Sequence, residues 1–200
     1  MPRRSPTGAL PDWPGLYRLI YEQQGYFTTA QAQEYGVAHP LLRYYLESGH
    51  FQRALRGIYR LSTYPPTPAE DLVTFWLWSD REGVFSHATA LVQHHLSDVL
   101  PGTSCMTVPM SWQTRRLHVP DGLHLHYATL PAQAHVWIDG VPVTRPLRSV
   151  IDCISNGMSP EITADALHQA VTRRLFSRKE YLAALRTAGI DRLTLSWELQ

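Results

Sequence analysis

Glycines at positions 25, 36, 49 and 57 cut the first sixty residues into lengths that suit only short helices and one tight hairpin. Asp12 is a candidate N-cap, with Pro14 in the first turn behind it. Leu16, Leu19, Ile20 and Gln23/Gln24 follow at helical spacing until Gly25 ends the run. Thr28 is placed to cap a second, short helix, with Gln31 three residues on and Gly36 as its left-handed terminator. A third helix is predicted over residues 40–48, closed by Gly49. Beyond it the period changes. Phe51 to Leu55 and Ile58 to Leu61 read as two strands around a turn at Arg56-Gly57. Helix, short helix, tight turn, helix and hairpin is the order of a winged helix-turn-helix, predicted over residues 13–63. Residues 1–12 are expected to be a disordered N-terminal segment.

On a helical wheel residues 40–48 have two faces. Leu42, Tyr45 and Leu46, with Leu41 at the margin, are expected to pack on the first two helices. His39, Arg43 and Glu47, flanked by Pro40 and Tyr44, form a polar and cationic face suited to reading a DNA groove. Arg43 has the geometry for a guanine edge, and Tyr44 that for a phosphate or a thymine methyl. The bland alternative is a solvated Arg43–Glu47 ion pair, since the two are four residues apart. Arg53, Arg56 and Arg60 arrive together on the hairpin, where a wing tip reaches a minor groove or adjacent phosphates; otherwise they are a basic solvated hairpin. Thr28 and Thr29 complete the candidate DNA contacts.

Tyr64-Pro65-Pro66-Thr67-Pro68 cannot continue a helix or a central strand. Residues 64–69 therefore read as a stiff linker, and residues 70–200 as a second domain. Charge is divided across this break. Residues 1–64 hold seven arginines against four acids, a net of +3, and the remainder nets −2. No stretch approaches the ~20 apolar residues that span a bilayer, and residues 7–15 lack the apolar core of a secretory signal. A cytoplasmic protein is expected. Cys105 and Cys153, far apart and outside any CxxC pair, are expected to be reduced thiols.

In the second domain residues 70–79 read as a mostly buried helix. Ser86 reads as the cap of another that runs through Leu91, Val92 and His95. Short strands are predicted at 106–109, 117–119, 123–127, 136–138 and 141–144. Helices follow from Pro146, near 160–174 and near 178–188, giving an α+β domain and an α+β class for the whole chain. Ten histidines are many for this length. His124 and His126 alternate onto one strand face, so metal ligation is geometrically open, but no HExxH, CxxC or spaced carboxylate accompanies them. Hydrogen-bonded or exposed histidines are the plainer reading, His94, His95 and His118 included. His87 between Ser86 and Thr89 reads as part of a capping segment. Thr144 is expected to cap the next helix, with Arg145 and Arg148 as possible phosphate or DNA contacts at its start. Arg173-Arg174 reads as a solvated helix end. No GxxxxGK, GxGxxG or paired-carboxylate nuclease pattern occurs. No catalytic residue, metal or cofactor is therefore assigned, and an enzyme is not expected. Two other readings stay open: a histidine-rich nuclease or metal hydrolase targeted by the winged domain, and a winged module that binds protein.

Several segments together carry a family resemblance. They are Gly25-Tyr26-Phe27-Thr28-Thr29-Ala30-Gln31-Ala32, Gly36-Val37, Leu41-Leu42, Gly49, and Leu55-Arg56-Gly57-Ile58-Tyr59-Arg60-Leu61. Glu70-Asp71-Leu72, residues 84–91 and residues 141–152 extend the pattern. The chain resembles the AbiEi family over about residues 15–185. That family comprises bacterial antitoxins and transcriptional regulators of type IV toxin-antitoxin systems. The resemblance implies a winged domain that binds repeats in double-stranded DNA of its own promoter and represses it. It also implies a second domain that counters an AbiEii-like nucleotidyltransferase toxin without forming a stable complex with it.

Overall fold

The computed structural model describes residues 10–98 and 102–190. The chain folds as two compact units, residues 1–81 and 82–200, and is mixed α/β as the sequence predicts. Residues 1–9 of the expected disordered segment lie outside the described residues.

The first unit is built by local signals. Helix α1 (Trp13–Glu22) starts where the Asp12 carboxylate accepts the Gly15 N–H at 3.0 Å. Strand β1 (Tyr26–Thr28), which the sequence pattern did not declare, leads directly into α2 (Thr29–Glu34). A capping box fixes the start of α2: Thr28 Oγ1 accepts from Gln31 N–H, and Gln31 Oε1 accepts from Thr28 N–H at 2.8 Å. Helix α3 (His39–Glu47) begins one residue earlier than predicted, after Ala38. Strands β2 (Phe51–Leu55) and β3 (Ile58–Leu61) form the hairpin, and the antiparallel sheet order is β1-β3-β2. Leu16, Ile20, Phe27, Ala32, Val37, Leu42, Phe51 and Leu61 fill the core beneath.

The predicted boundary needs correction. Residues 64–69 are not a free spacer, and helix α4 (Glu70–Trp78) belongs to the first unit, which runs to Arg81. Three contacts tie the segment down. Arg60 donates to Tyr64 O at 2.7 Å, Thr67 Oγ1 donates to Gln24 Oε1 at 2.9 Å, and Glu70 pairs with Arg60 at 3.3 Å. Gly25 makes room for the ring of Tyr64. It sits at φ +92°, and a Cβ there would lie 2.6 Å from that ring. Helix α4 packs on all three strands of the sheet.

The second unit holds a five-stranded mixed sheet, order β6-β5-β4-β8-β7. Its strands are β4 (Val84–Phe85), β5 (Ser104–Val108), β6 (Leu123–Tyr127), β7 (His135–Ile138) and β8 (Val141–Thr144). Strands β5 and β6 run parallel, as do β4 and β8. Asp139 and Gly140 both take positive φ (46° and 76°) in the two-residue turn between β7 and β8. Helices α5 (His87–Gln93), α6 (Pro146–Ser155), α7 (Pro160–Thr172) and α8 (Arg178–Thr187) share a core of Leu91, Leu96, Val150, Leu167, Tyr181 and Leu185.

Four local expectations fail here. Residues 117–119 alternate in burial but pair with no strand among the described residues, so alternation reports facing without pairing. Helix α5 stops at Gln93, because His95 turns left-handed at φ 55°. Thr144 does not cap α6, whereas Ser86 is the N-cap of α5 as expected, although its side chain makes no capping bond. Ser86 bonds His87 and Thr107, and the N-cap of α6 is Arg145, with Thr144 Oγ1 against Ser149 Oγ at 2.8 Å. Arg173 is not merely a solvated end, since it donates to the carbonyls of His94 and His95 at 2.9 and 3.0 Å. Cys105 and Cys153 are free thiols. Burial pushes that of Cys153 up to about 12, Asp152 and Cys105 adding to the effect. No helix among the described residues is long and apolar enough to cross a membrane.

Candidate nucleic-acid interface

The third helix presents the two faces expected of it. Leu42 is buried and Leu41, Tyr45 and Leu46 pack against the core, which fixes the rotation of α3 about its axis. That rotation leaves His39, Pro40, Arg43, Tyr44 and Glu47 exposed together. Tyr44 is 62% exposed, a large ring with no apolar reason to face water. Its neighbour Tyr45 meets it edge-to-face at 5.3 Å and is in turn packed on Trp13 and Phe51, so the exposed ring stands on a rigid base. Arg43 and Glu47 form the solvated pair foreseen as the bland alternative, Nε to Oε1 at 2.7 Å. Their side chains are 80% and 64% exposed, so exchanging Glu47 for a phosphate or a base edge costs little.

The wing divides its three arginines. Arg53 and Arg56 are exposed and their side chains bond to no described residue, whereas Arg60 is turned into the unit. Arg60 lies on the central strand opposite Tyr26 and Gln52, and its guanidinium is spent on Tyr64 O and Glu70. It is therefore a framework residue and leaves the candidate interface. Gly57 forms the turn at φ +80°, a conformation that would strain any side chain with a Cβ. A register shift between Arg53 and Leu55 leaves Gln52, Arg53 and Ala54 exposed in succession. Gln52 thereby joins the open face of the wing. Sequence alternation hides it, because a bulge breaks the period of two.

Thr28 and Thr29 hold the frame. The Thr28 hydroxyl is engaged in the capping box, and Gly57 O accepts from both Thr29 N–H (2.9 Å) and Thr29 Oγ1 (3.2 Å). The start of α2 is thus bonded to the wing turn. Beneath this joint lies a buried amide pair. Gln31 Nε2 donates to Gln23 Oε1 at 2.8 Å, and Gln23 Nε2 donates to Gln31 Oε1 at 3.1 Å and to Tyr26 O at 2.9 Å. The N-termini of α1 and α2 are therefore capped by side chains of the unit itself, whereas α3 starts after Ala38 without a side-chain cap.

The two arginines assigned to the second unit do not form an open phosphate cradle. Arg145 donates to Gln133 O at 2.8 Å, and Arg148 is paired with Asp152 at 2.6 Å. Arg148, His87 and His126 instead line one pocket. Burial above all, then His126, Arg148 and His124 nearby, lower the pKa of His87 to about 3; burial and His124 lower that of His126 to about 4.

No curated protein matches the sequence. The fold is similar to that of the RV2827C protein from Mycobacterium tuberculosis, seen in its crystal structure. The TM-score is 0.54 at 14% identity, over 89% of this chain and 72% of the other. At that identity the likeness is one of fold alone. Residues 16–62, which run from the first helix to the end of the wing, match the family of transcriptional regulators described as AbiEi antitoxin, the family their motifs resemble.

Proposed function

We propose that the chain is a sequence-specific, double-stranded-DNA-binding repressor that acts by binding and not by catalysis. Helix α3 enters the major groove and the wing tip lies on the adjacent backbone or minor groove. The observation that carries this reading is the exposed set on α3 (His39, Pro40, Arg43, Tyr44 and Glu47), together with Arg53 and Arg56 open on a wing that is bonded to the start of α2. Arg43 and Tyr44 read bases, while Arg53 and Arg56 neutralise phosphates. The family match supports extending this to a cytoplasmic antitoxin that represses its own promoter at repeats and counters an AbiEii-like nucleotidyltransferase toxin without a stable complex.

The test is binding of the full chain to its own upstream DNA and to a scrambled duplex across a salt series. Tighter binding to the native DNA is expected, weakening steeply with salt. Arg43→Ala should relax the preference between the two duplexes, and Arg56→Ala should weaken both by about tenfold. Equal weak binding to both duplexes, indifferent to Arg43→Ala, refutes the repressor reading.

A further inference from the structure

The second unit contains a pocket of about 220 Å³ that DNA binding by the winged unit leaves without a role. It lies at the carboxyl ends of the parallel strands β5 and β6, a recurrent position for ligands in open sheets. One wall is a polar stripe on α6. Arg148, Asp152 and the C-cap residue Asn156 recur every four residues along it, while Val150, Ile151 and Cys153 are buried in the core. The other walls are Thr107 on β5, His126 beside it in register on β6, and His87 at the start of α5.

The hydrogen bonds around the pocket fix what its atoms offer. With the Asn156 amide in this orientation, Nδ2 at 3.1 Å donates to His126 Nδ1, which leaves the proton of a neutral ring on Nε2. That Nε2 is buried and has no partner among the described residues. Asp152 receives Arg148 Nε on Oδ1, whereas its Oδ2 is likewise buried and unpartnered. Asp152 is only 8% exposed. Two residues that line the same pocket thus each carry a buried polar atom without a partner, and native proteins rarely leave such atoms unsatisfied.

Backbone and charge both mark the place as built. His87 sits at φ +52°, a region that side chains other than glycine rarely adopt. Its ring is stacked on that of His126, with centroids 3.5 Å apart and planes 15° apart. The chain Thr107 Oγ1 to Ser86 Oγ to His87 Nδ1, each step 2.8 Å, holds the His87 ring. With both imidazoles neutral at pH 7 and Arg148 paired to Asp152, the site has no net positive charge. A phosphate entering it would meet the free carboxylate oxygen, which selects a neutral ligand. The volume lies below the ~300–1,000 Å³ of pockets for drug-sized molecules, which limits that ligand to one or two rings.

We propose that this pocket binds a nucleobase by its lactam edge, the ring N–H donating to Asp152 Oδ2 and the adjacent carbonyl accepting from His126 Nε2. Uracil, thymine, guanine and hypoxanthine carry that edge; adenine and cytosine do not. The proposal concerns the second unit alone and is independent of the DNA-binding reading.

Ligand-observed NMR on the full chain tests it, with uridine, thymidine, guanosine, inosine, adenosine, cytidine and inorganic phosphate as probes. At least one lactam nucleoside should bind, and do so at least about tenfold more tightly than adenosine and cytidine. Asp152→Asn keeps an oxygen for Arg148 but turns the waiting acceptor into a donor, so binding should fall by about tenfold or more. Ser155→Phe, an exposed position on the pocket rim, fills the space without touching the core and should abolish binding even if Asp152→Asn fails to fold. The source of the base is read by competition. Displacement of the bound nucleoside only by a duplex with one unpaired thymine assigns a DNA-borne base, and displacement by no duplex assigns a free nucleoside. The proposal is overturned by equal affinity for all the nucleosides or by no binding at about 10 mM. It is equally overturned by competition from phosphate, by displacement with a fully paired duplex, or by binding that survives Ser155→Phe.

Discussion

Replacing Gln31 by alanine is the sharpest test of how the winged unit is held together. Gln31 is 4% exposed and Gln23 5%. The substitution deletes three side-chain hydrogen bonds: two made with Gln23, and the one accepted from Thr28 N–H. Gln23 Nε2 keeps Tyr26 O, but Gln23 Oε1 is left buried with nothing to accept from. The amide of Gln23 cannot flip to repair this, because its oxygen would then face Tyr26 O. A buried orphan costs about 1–3 kcal/mol, and the half-buried Thr28 N–H about 1 more, so a loss of about 2–4 kcal/mol is expected. A domain of this size has roughly 4–12 kcal/mol of stability, so the change is large, equivalent to a fall of roughly 10–25 °C in Tm. Because the chain has two units, the assay should be local: amide hydrogen exchange of α1, β1 and α2 under native conditions. The double variant Gln23→Leu with Gln31→Leu removes both halves of the pair. It should be less destabilised than the sum of the singles by about 1–2 kcal/mol. Additive single effects, or a loss below about 0.5 kcal/mol for Gln31→Ala, would show that the amide pair is not a coupled network.

Other outcomes follow from the same geometry. Gly57→Ala forces a Cβ onto φ +80° and should cost about 1–2 kcal/mol; unchanged denaturant unfolding of the first unit would refute the strained-turn account. Arg60→Met breaks the pair with Glu70 and should lower the stability of the first unit by about 1 kcal/mol or more. Its DNA affinity should nevertheless stay within about threefold, unlike that of Arg56→Ala, and a larger loss in a filter-binding titration returns Arg60 to the interface. His87 gives the second unit a pH dependence. The unfolded imidazole protonates near 6.5 and the folded one near 3, so between them the unfolded state binds more protons. Stability is therefore complete above about pH 6.5 and falls with pH by up to about 1 kcal/mol per unit after allowing for partial screening. Asp152, whose pKa burial raises, works in the opposite sense at the acid end. His87→Asn tolerates the left-handed backbone and should reduce the slope between pH 7 and 5 without abolishing it, since His126, lowered to about 4, acts in the same sense; an unchanged slope would refute the contribution of His87.

What was legible in the sequence was whatever depends on neighbours in sequence. The Asp12 cap, the Thr28–Gln31 box, the left-handed glycines and the two faces of α3 each rest on residues within one or two turns of each other. The misplaced boundary shows the limit. Three prolines do stiffen residues 64–69, but whether a stiff segment is a spacer or a strap depends on Arg60 meeting Glu70 and Thr67 meeting Gln24. Neither contact leaves a periodic trace. The same holds for the exposed face of the wing, where one bulge adds Gln52 and defeats the period of two. The pocket was least legible of all. His87, His126 and Asp152 are brought together only by a sheet whose strand order, β6-β5-β4-β8-β7, differs from their order along the chain.

Under the proposed function, arginine count is therefore a poor guide to where the chain would meet DNA. A guanidinium already bonded inside its own unit must leave a partner stranded before it can reach a phosphate, and that loss offsets the gain. Arg60, Arg148 and Arg173 are in that position, and Arg145 partly so. Arg53 and Arg56 are not, and Arg43 need only release a carboxylate that water can solvate. The arginines singled out as DNA contacts thus sort by what each would forfeit, and of these Arg43, Arg53 and Arg56, on α3 and the wing, have least to lose. The same reasoning explains why the pocket in the second unit is read as neutral. Its arginine is committed to Asp152, so the groups left over are a donor and an acceptor, and those recognise an edge of atoms rather than a charge.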